Sequence, residues 1–166
     1  MLELIVQIPR GSKVKAEFET QLYYDRLLNI PMVENYGFIN GSKLQPDGDL
    51  ADFYLISNQI LCSNIKIKEG AVRLLGVYSY LDKGQVDDKY VYCITQELDE
   101  NPSFIRHIAY KLSCIHSYLR YYKNDTNTVS KLVLSDYWLN HPRLVDRLSS
   151  EITVEIVSES VLKVNL

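Results

Sequence analysis

The chain predicts an α+β protein that is mainly β, a small barrel or sandwich of short strands with helices packed on it. Two observations predict this. The first two-thirds of its 166 residues is a series of short β-branched and aromatic runs, most of them separated by Gly, Pro, Asp or Asn. After residue 103 the apolar period lengthens from two to between three and four, the spacing of an amphipathic helix.

The expected strands are Leu4 to Ile8, Val14 to Thr20, Phe53 to Ile56, Ile65 to Ile67, Val72 to Ser79 and Lys89 to Ile94. Evenly spaced short strands of this kind build barrels and sandwiches. From Ser103 to Lys123, the positions Ile105, Ile108, Ala109, Leu112, Ile115, Leu119 and Tyr122 form one apolar helical stripe. Asn101 is placed to cap that helix, and Pro102 suits its first position, where the missing N–H costs nothing. A strand at Lys131 to Ser135 follows, then a second helix from Asn140-His141-Pro142. The tail, Ile152 to Val157 and Val161 to Val164, reads as strand. The stretch from Asn35 to Gly41 reads as a turn, because Asn and Gly dominate it.

Composition sets the outer limits. Residues 1–166 are enough for one domain with a single core, with ordinary soluble usage at 46% hydrophobic and 23% charged. A net charge of −3 offers no broad basic field for nucleic acid or an acidic membrane. No apolar run approaches the roughly 20 residues that span a bilayer, and the first residues read as strand, not as a signal peptide. Three cysteines, Cys62, Cys93 and Cys114, make neither a disulfide framework nor a zinc pattern, which suits a reducing cytoplasm. His107, His116 and His141 lack ligand spacing and read as surface or packing residues. The thirteen tyrosines fall mostly on apolar faces, as core or subunit contacts.

The chemistry is concentrated in Asp47-Gly48-Asp49-Leu50-Ala51-Asp52, three carboxylates in six residues. Gly48 lets the backbone bend between the first two acids. Alone, the motif fits a solvated loop, a Ca²⁺ loop or a Mg²⁺ site. The EF-hand arrangement fits poorly, since its Gly stands at about position six and its Glu at about twelve, whereas Gly48 follows the first Asp directly and the twelfth position is Asn58. A second acidic cluster, Asp82-Lys83-Gly84-Gln85-Val86-Asp87-Asp88-Lys89, interleaves carboxylates with lysines, and the two clusters together suggest metal-assisted phosphoryl chemistry.

Taken in order, the motifs resemble the Mg²⁺-dependent, family I soluble inorganic pyrophosphatases. Ile8-Pro9-Arg10-Gly11-Ser12-Lys13-Val14-Lys15-Ala16-Glu17 resembles the family's opening strand with its Lys-x-Glu. Asp25-Arg26-Leu27-Leu28, Pro31-Met32-Val33 and Asn35-Tyr36-Gly37-Phe38-Ile39 resemble the next block. Asp47-Gly48-Asp49-Leu50-Ala51-Asp52 matches the signature Asp-Gly-Asp-Pro-x-Asp except at its Pro. Asp82, Asp87 and Lys89 match the later acidic block, and Tyr122-Lys123 matches a Tyr-Lys pair.

The resemblance implies a five-stranded OB-like barrel flanked by two helices, a homo-oligomer (usually a hexamer in bacteria), and hydrolysis of pyrophosphate to two phosphates. It implies several Mg²⁺ ions, with other divalent cations as substitutes. Asp47, Asp52 and Asp87 would hold the first ion, Asp52 would also reach the second, and Asp82 with Asp87 would hold a third. Asp49 would act as general base toward the attacking water. Glu17 would contact a metal arriving with substrate. Lys15, Arg26, Lys89 and Lys123 would bind phosphoryl oxygens, with hydroxyls from Tyr36 and Tyr122 beside them.

Besides Leu50 at the signature's Pro, the chain departs from the family in four places. Gln7 stands where the family usually has Glu, Ala16 where it has Tyr, and the segment between Glu17 and Arg26 is short. A Tyr-Pro pair that normally precedes Asn35 is missing. These departures keep open an alternative, a pyrophosphatase-like phosphate- or nucleotide-binding regulator with weak or no turnover. An OB-fold nucleic-acid binder is disfavoured by the negative charge and the absence of a basic stripe among the tyrosines.

Overall fold

In a computed structural model of the chain, the described residues are 1–17, 24–27, 30–82, 84–121 and 128–166. The elements run β1 (Glu3–Ile8), β2 (Val14–Glu17), β3 (Tyr24–Leu27), β4 (Asn35–Asn40), β5 (Asp52–Ile56), β6 (Lys66–Lys68), β7 (Val72–Asp82), β8 (Gln85–Val86), β9 (Lys89–Ile94), α1 (Thr95–Glu100), α2 (Phe104–Tyr121), β10 (Thr128–Ser135), α3 (Pro142–Ser149), β11 (Val154–Val157) and α4 (Glu159–Leu162). The fold is therefore mixed α+β, mostly strands with several helices. The hydrogen-bonded path is β11-β10-β7-β9-β5-β4-β1-β6, with β8 paired to β7 and β2 paired to β3 apart from it. Two pairings are parallel, β5 with β9 and β10 with β11.

Strand alternation explains how this sheet is buried on both faces. On β5, Tyr54 and Ile56 join the cluster under α2, while Phe53 and Leu55 join the opposite cluster. On β9, Val91 and Cys93 face α2, while Tyr90 and Tyr92 face away. The apolar stripe expected for the long helix is the face that α2 buries, from Ile105 through Ile108, Leu112 and Ile115 to Leu119. Asn101 lies at the junction of two helices: it closes α1, and its carbonyl accepts the Phe104 N–H at 2.9 Å. Residues 122 and 123 lie outside the described residues, as do 18–20 of the second expected strand.

Two expectations are corrected. Asn35–Asn40 is a strand, with the turn confined to Gly41 at φ 86°. The Asn35 side chain serves as a bridge instead of a turn former: Oδ1 accepts the N–H groups of Arg10 and Leu61, and Nδ2 donates to the carbonyls of Gln59 and Leu55. Residues 161–164 are helical, in α4 and the 3-10 turn Lys163–Asn165, because Leu162 buries itself against the second core cluster. That tail also braces the segment ahead of the acidic loop: Lys43 N–H and Nζ donate to the carbonyls of Leu166 and Val164, and Gln45 Nε2 donates to that of Asn165.

The entry to β4 is held by charge. Glu34, immediately before it, has a fully buried side chain, with Oε1 3.3 Å from Arg10 Nη1 and Oε2 3.4 Å from Lys111 Nζ. Arg10 Nη1 also donates to the Ser57 carbonyl at 2.8 Å. Burial pushes the Glu34 carboxyl above its usual range, and the Lys111 and Arg10 charges oppose that rise. Where the family's Tyr-Pro pair is missing, the chain runs straight from Val33 into this buried clamp.

Two substitutions test these supports. Gly37→Ala places a methyl 1.8 Å from the Ile5 carbonyl oxygen, so β1 and β4 must separate; a loss of about 3 kcal/mol or more in urea unfolding is expected. Glu34→Ala strands two half-buried cations and should cost about 3 kcal/mol, whereas Lys111→Met, which removes a cation with 18% exposure, should cost distinctly less.

Candidate active site

Lys89 opens β9 on the same face as Val91 and Cys93, so its side chain enters the tyrosine-rich end of the core beneath α2. It is 1% exposed. A buried ammonium must be paired, and this one is: Nζ donates to Asp52 Oδ2 at 2.6 Å, to Asp87 Oδ2 at 2.9 Å and to the Tyr36 hydroxyl at 3.2 Å. The aromatic faces of Tyr36 and Tyr80 lie 5.5 and 5.6 Å from the charge.

Backbone register brings these groups together. Asp52 is the direct parallel partner of Lys89, and Tyr36 lies opposite Tyr54, two positions further along β5. Asp87 is placed by its own N–H, which donates to the Tyr80 carbonyl at 2.9 Å. The neighbouring Asp88 accepts the Tyr80 N–H.

Electrostatics fixes the protonation states. Burial lowers the Lys89 pKa, but the Asp52 and Asp87 carboxylates more than reverse it, leaving it above the ordinary lysine value. Burial, then the Asp52 charge, raises the Tyr36 phenol well above its usual value, so it remains a neutral hydroxyl. Tyr80 is raised by burial and by the nearby charges of Asp82 and Asp87. Two carboxylates against one ammonium leave the cluster one negative charge in excess, and Asp82 adds to it.

The other expected residues occupy different settings. Asp47 and Asp49 sit in an exposed loop, where Asp47 Oδ1 accepts the Asp49 N–H at 2.9 Å and Gly48 bends at φ 87°. The Asp49 carbonyl accepts the Gln45 N–H, tying that loop to the segment braced by the tail. Lys15 is on β2, in backbone register with Arg26 on β3. The side chains of Glu17 and Arg26, and the whole of Tyr122 and Lys123, lie outside the described residues. Gln7 is buried on β1.

Among the described residues, no three His, Cys, Asp or Glu side chains close into a cation-sized cluster. The donors still fit a hard divalent cation in kind, because they are all carboxylate oxygens, and the excess negative charge around Lys89 favours one. Reading the sequence alone misses Tyr54, Tyr80 and Tyr118, whose burial shapes the Lys89 pocket, and the Glu34 clamp. Strand parity was the signal for Tyr54, which shares a face with Ile56. Nothing in the sequence marks Glu34.

The family profile described as inorganic pyrophosphatase matches residues 4–143. The inorganic pyrophosphatase of Neisseria meningitidis serogroup A is 31% identical over 114 residues; the match covers 66% of this chain and 62% of that protein, so the chain spans less than two-thirds of that relative's length. The enzyme of Synechocystis is 28% identical over 142 residues, with 80% of each chain covered. The solved inorganic pyrophosphatase of Thermus thermophilus superposes with a TM-score of 0.65 over 89% of this chain and 91% of its own, at 21% identity, a likeness of fold. With most of its length matched in sequence and its fold shared, the chain belongs to the inorganic pyrophosphatase family.

Proposed function

We propose that the chain hydrolyses inorganic pyrophosphate to two phosphates. In the reaction, water adds its oxygen to one phosphorus, the bridging P–O bond breaks, and the two protons of the water are divided between the products. The observation that carries this reading is the buried Lys89 ammonium, fixed by Asp52, Asp87 and Tyr36 at family motif positions.

Members of the family use divalent metals. Asp52, Asp87, Asp82 and Asp47 are the residues that would hold Mg²⁺ here. Such a cation supplies neutralisation of phosphoryl charge and a lower pKa for the attacking water. The chain's own groups do the rest. Lys89, permanently charged, faces the developing negative charge on phosphoryl oxygen, and the neutral Tyr36 hydroxyl remains a donor in the same pocket. Lys15, Arg26, Lys123 and Tyr122 complete the binding of phosphoryl oxygens in this reading, with Glu17 toward the metal that arrives with substrate. Asp49, on an exposed loop, is the base that takes a proton from water.

The reading takes residues 1–166 as one domain acting in the cytoplasm as a homo-oligomer, a hexamer by likeness to the family. Within it, the contiguous strands β1, β4, β5, β9 and β7 would form the five-stranded OB-like barrel that the likeness to the family implies. The negative net charge supports a small-molecule substrate over nucleic acid. The second reading, a phosphate- or nucleotide-binding regulator with weak or no turnover, draws on Gln7 and the missing Tyr-Pro pair.

Phosphate release from pyrophosphate with Mg²⁺ tests the first; no release with Mg²⁺, Mn²⁺ or Zn²⁺ would overturn it and leave the regulator as the reading. Asp49→Asn should keep the fold and lower turnover about 100-fold, and a mutant retaining most of its rate would assign the base elsewhere. Asp87→Ala should raise the Mg²⁺ requirement more than Asp82→Ala does, since Asp87 is assigned to two ions; equal shifts would remove that assignment.

A further inference from the structure

A second cleft, of about 600 Å³, lies between the start of α2 and the first turns of α3 and shares no residue with the Lys89 cluster. Arg106, Arg143 and Arg147 line it, with Asn140 and His141 at its edge. Among the described residues, no carboxylate comes within 4.0 Å of any of these three guanidinium groups. Arg143 and Arg147 stand four apart on α3, the spacing at which like charges repel across one face of a helix. On a convex surface such arginines would be an ordinary solvated face. Here they converge on a concavity, in a chain whose net charge is −3.

The helix itself adds to the positive potential. α3 starts with Pro142, carries no acid in its first turn, and receives no side-chain cap from His141. Of its first-turn amides, those of Leu144 and Val145 donate to the His141 carbonyl, which leaves the Arg143 N–H at the positive end of the helix to favour an anion. The edge is rigid: the His141 ring packs at 5.5 and 6.4 Å from those of Tyr137 and Trp138, and Trp138 is buried with its indole N–H on the Leu75 carbonyl.

Guanidinium forks match phosphate oxygens two at a time, and three of them call for a ligand carrying several negative charges. The volume falls in the range of about 300–1,000 Å³ typical of sites for whole small molecules, larger than a lone phosphate needs. We propose that this cleft binds a small molecule bearing a chain of two or more phosphates, a nucleotide or a linear oligophosphate, at a site separate from the Lys89 cluster.

The test follows the arginine Nε–Hε resonances of ¹⁵N-labelled protein in metal-free buffer. Tripolyphosphate and ADP are titrated in separate arms, with sodium sulfate at matched ionic strength and a single-stranded RNA oligonucleotide as controls. The expected result is saturable shifts at Arg106, Arg143 and Arg147 with both phosphate ligands. Binding should weaken at least tenfold in the triple variant Arg106→Gln, Arg143→Gln, Arg147→Gln, and by an intermediate factor in Arg143→Gln alone. Equal affinity for the two ligands would identify the phosphate chain as the recognised group, and tighter ADP binding would identify a nucleotide site. The proposal is overturned by shifts that sulfate reproduces, by unchanged affinity in the variants, or by RNA outcompeting tripolyphosphate at the same arginines. All three side chains are exposed, so the variants should fold; if the triple variant does not, Arg143→Gln carries the test.

Discussion

The Lys89 ammonium is the constraint on which the rest of the site depends. A charge with 1% exposure is tolerated only when it is fully paired, and its partners come from four separate places in the chain. Asp52 opens β5, Tyr36 lies on β4, Asp87 precedes β9, and the tyrosine rings on β4 and β7 fill the space around them. Moving any of these strands would leave a buried charge short of a partner. The same requirement thus stabilises this end of the sheet and fixes the geometry of the candidate site. Because Asp52 and Asp87 together exceed Lys89 in charge, the cluster is also poised for a cation.

Around that centre the supports differ in kind. β4 is held by a fully buried carboxylate between two cations and by an amide side chain that joins the turn after β1, β5 and the loop after β5. The Asp47–Asp49 loop is exposed, and its order comes from local hydrogen bonds and from the C-terminal tail. Lys89 and Tyr36, proposed to face phosphate, are therefore set in the sheet, while the proposed base sits on a loop. This arrangement is common where binding residues need a scaffold and the reactive group needs access to water.

Much of this was legible in the residues. The strands at Leu4–Ile8, Phe53–Ile56 and Lys89–Ile94 and the long helix have apolar periods strong enough to define themselves, and burial follows those periods residue by residue. Asp52, Asp87 and Lys89 could be selected from motif order. The strand at Asn35–Asn40 was not legible, because Asn and Gly carry turn propensity; Gly37 is there so that the Ile5 backbone can approach closely. The helical tail was missed because a short β-branched run has no period that separates strand from helix.

The sequence by itself determined the strongly periodic strands and the long helix, the carboxylate and lysine content of the candidate site, and its likeness to a known family. These are properties of local pattern and of residue type. Only the tertiary structure decided that Lys89 is buried, that Glu34 is a clamp, that the tail braces the acidic loop and that three arginines converge on one cleft. Each of those depends on the placement of residues far apart in the chain, as with the contacts of Arg10 with Glu34 and Lys43 with Val164, or the shared cleft of Arg106 and Arg147. A pattern read along the chain carries no record of which distant groups will share a low-dielectric space, and that sharing keeps Lys89 charged and Tyr36 neutral.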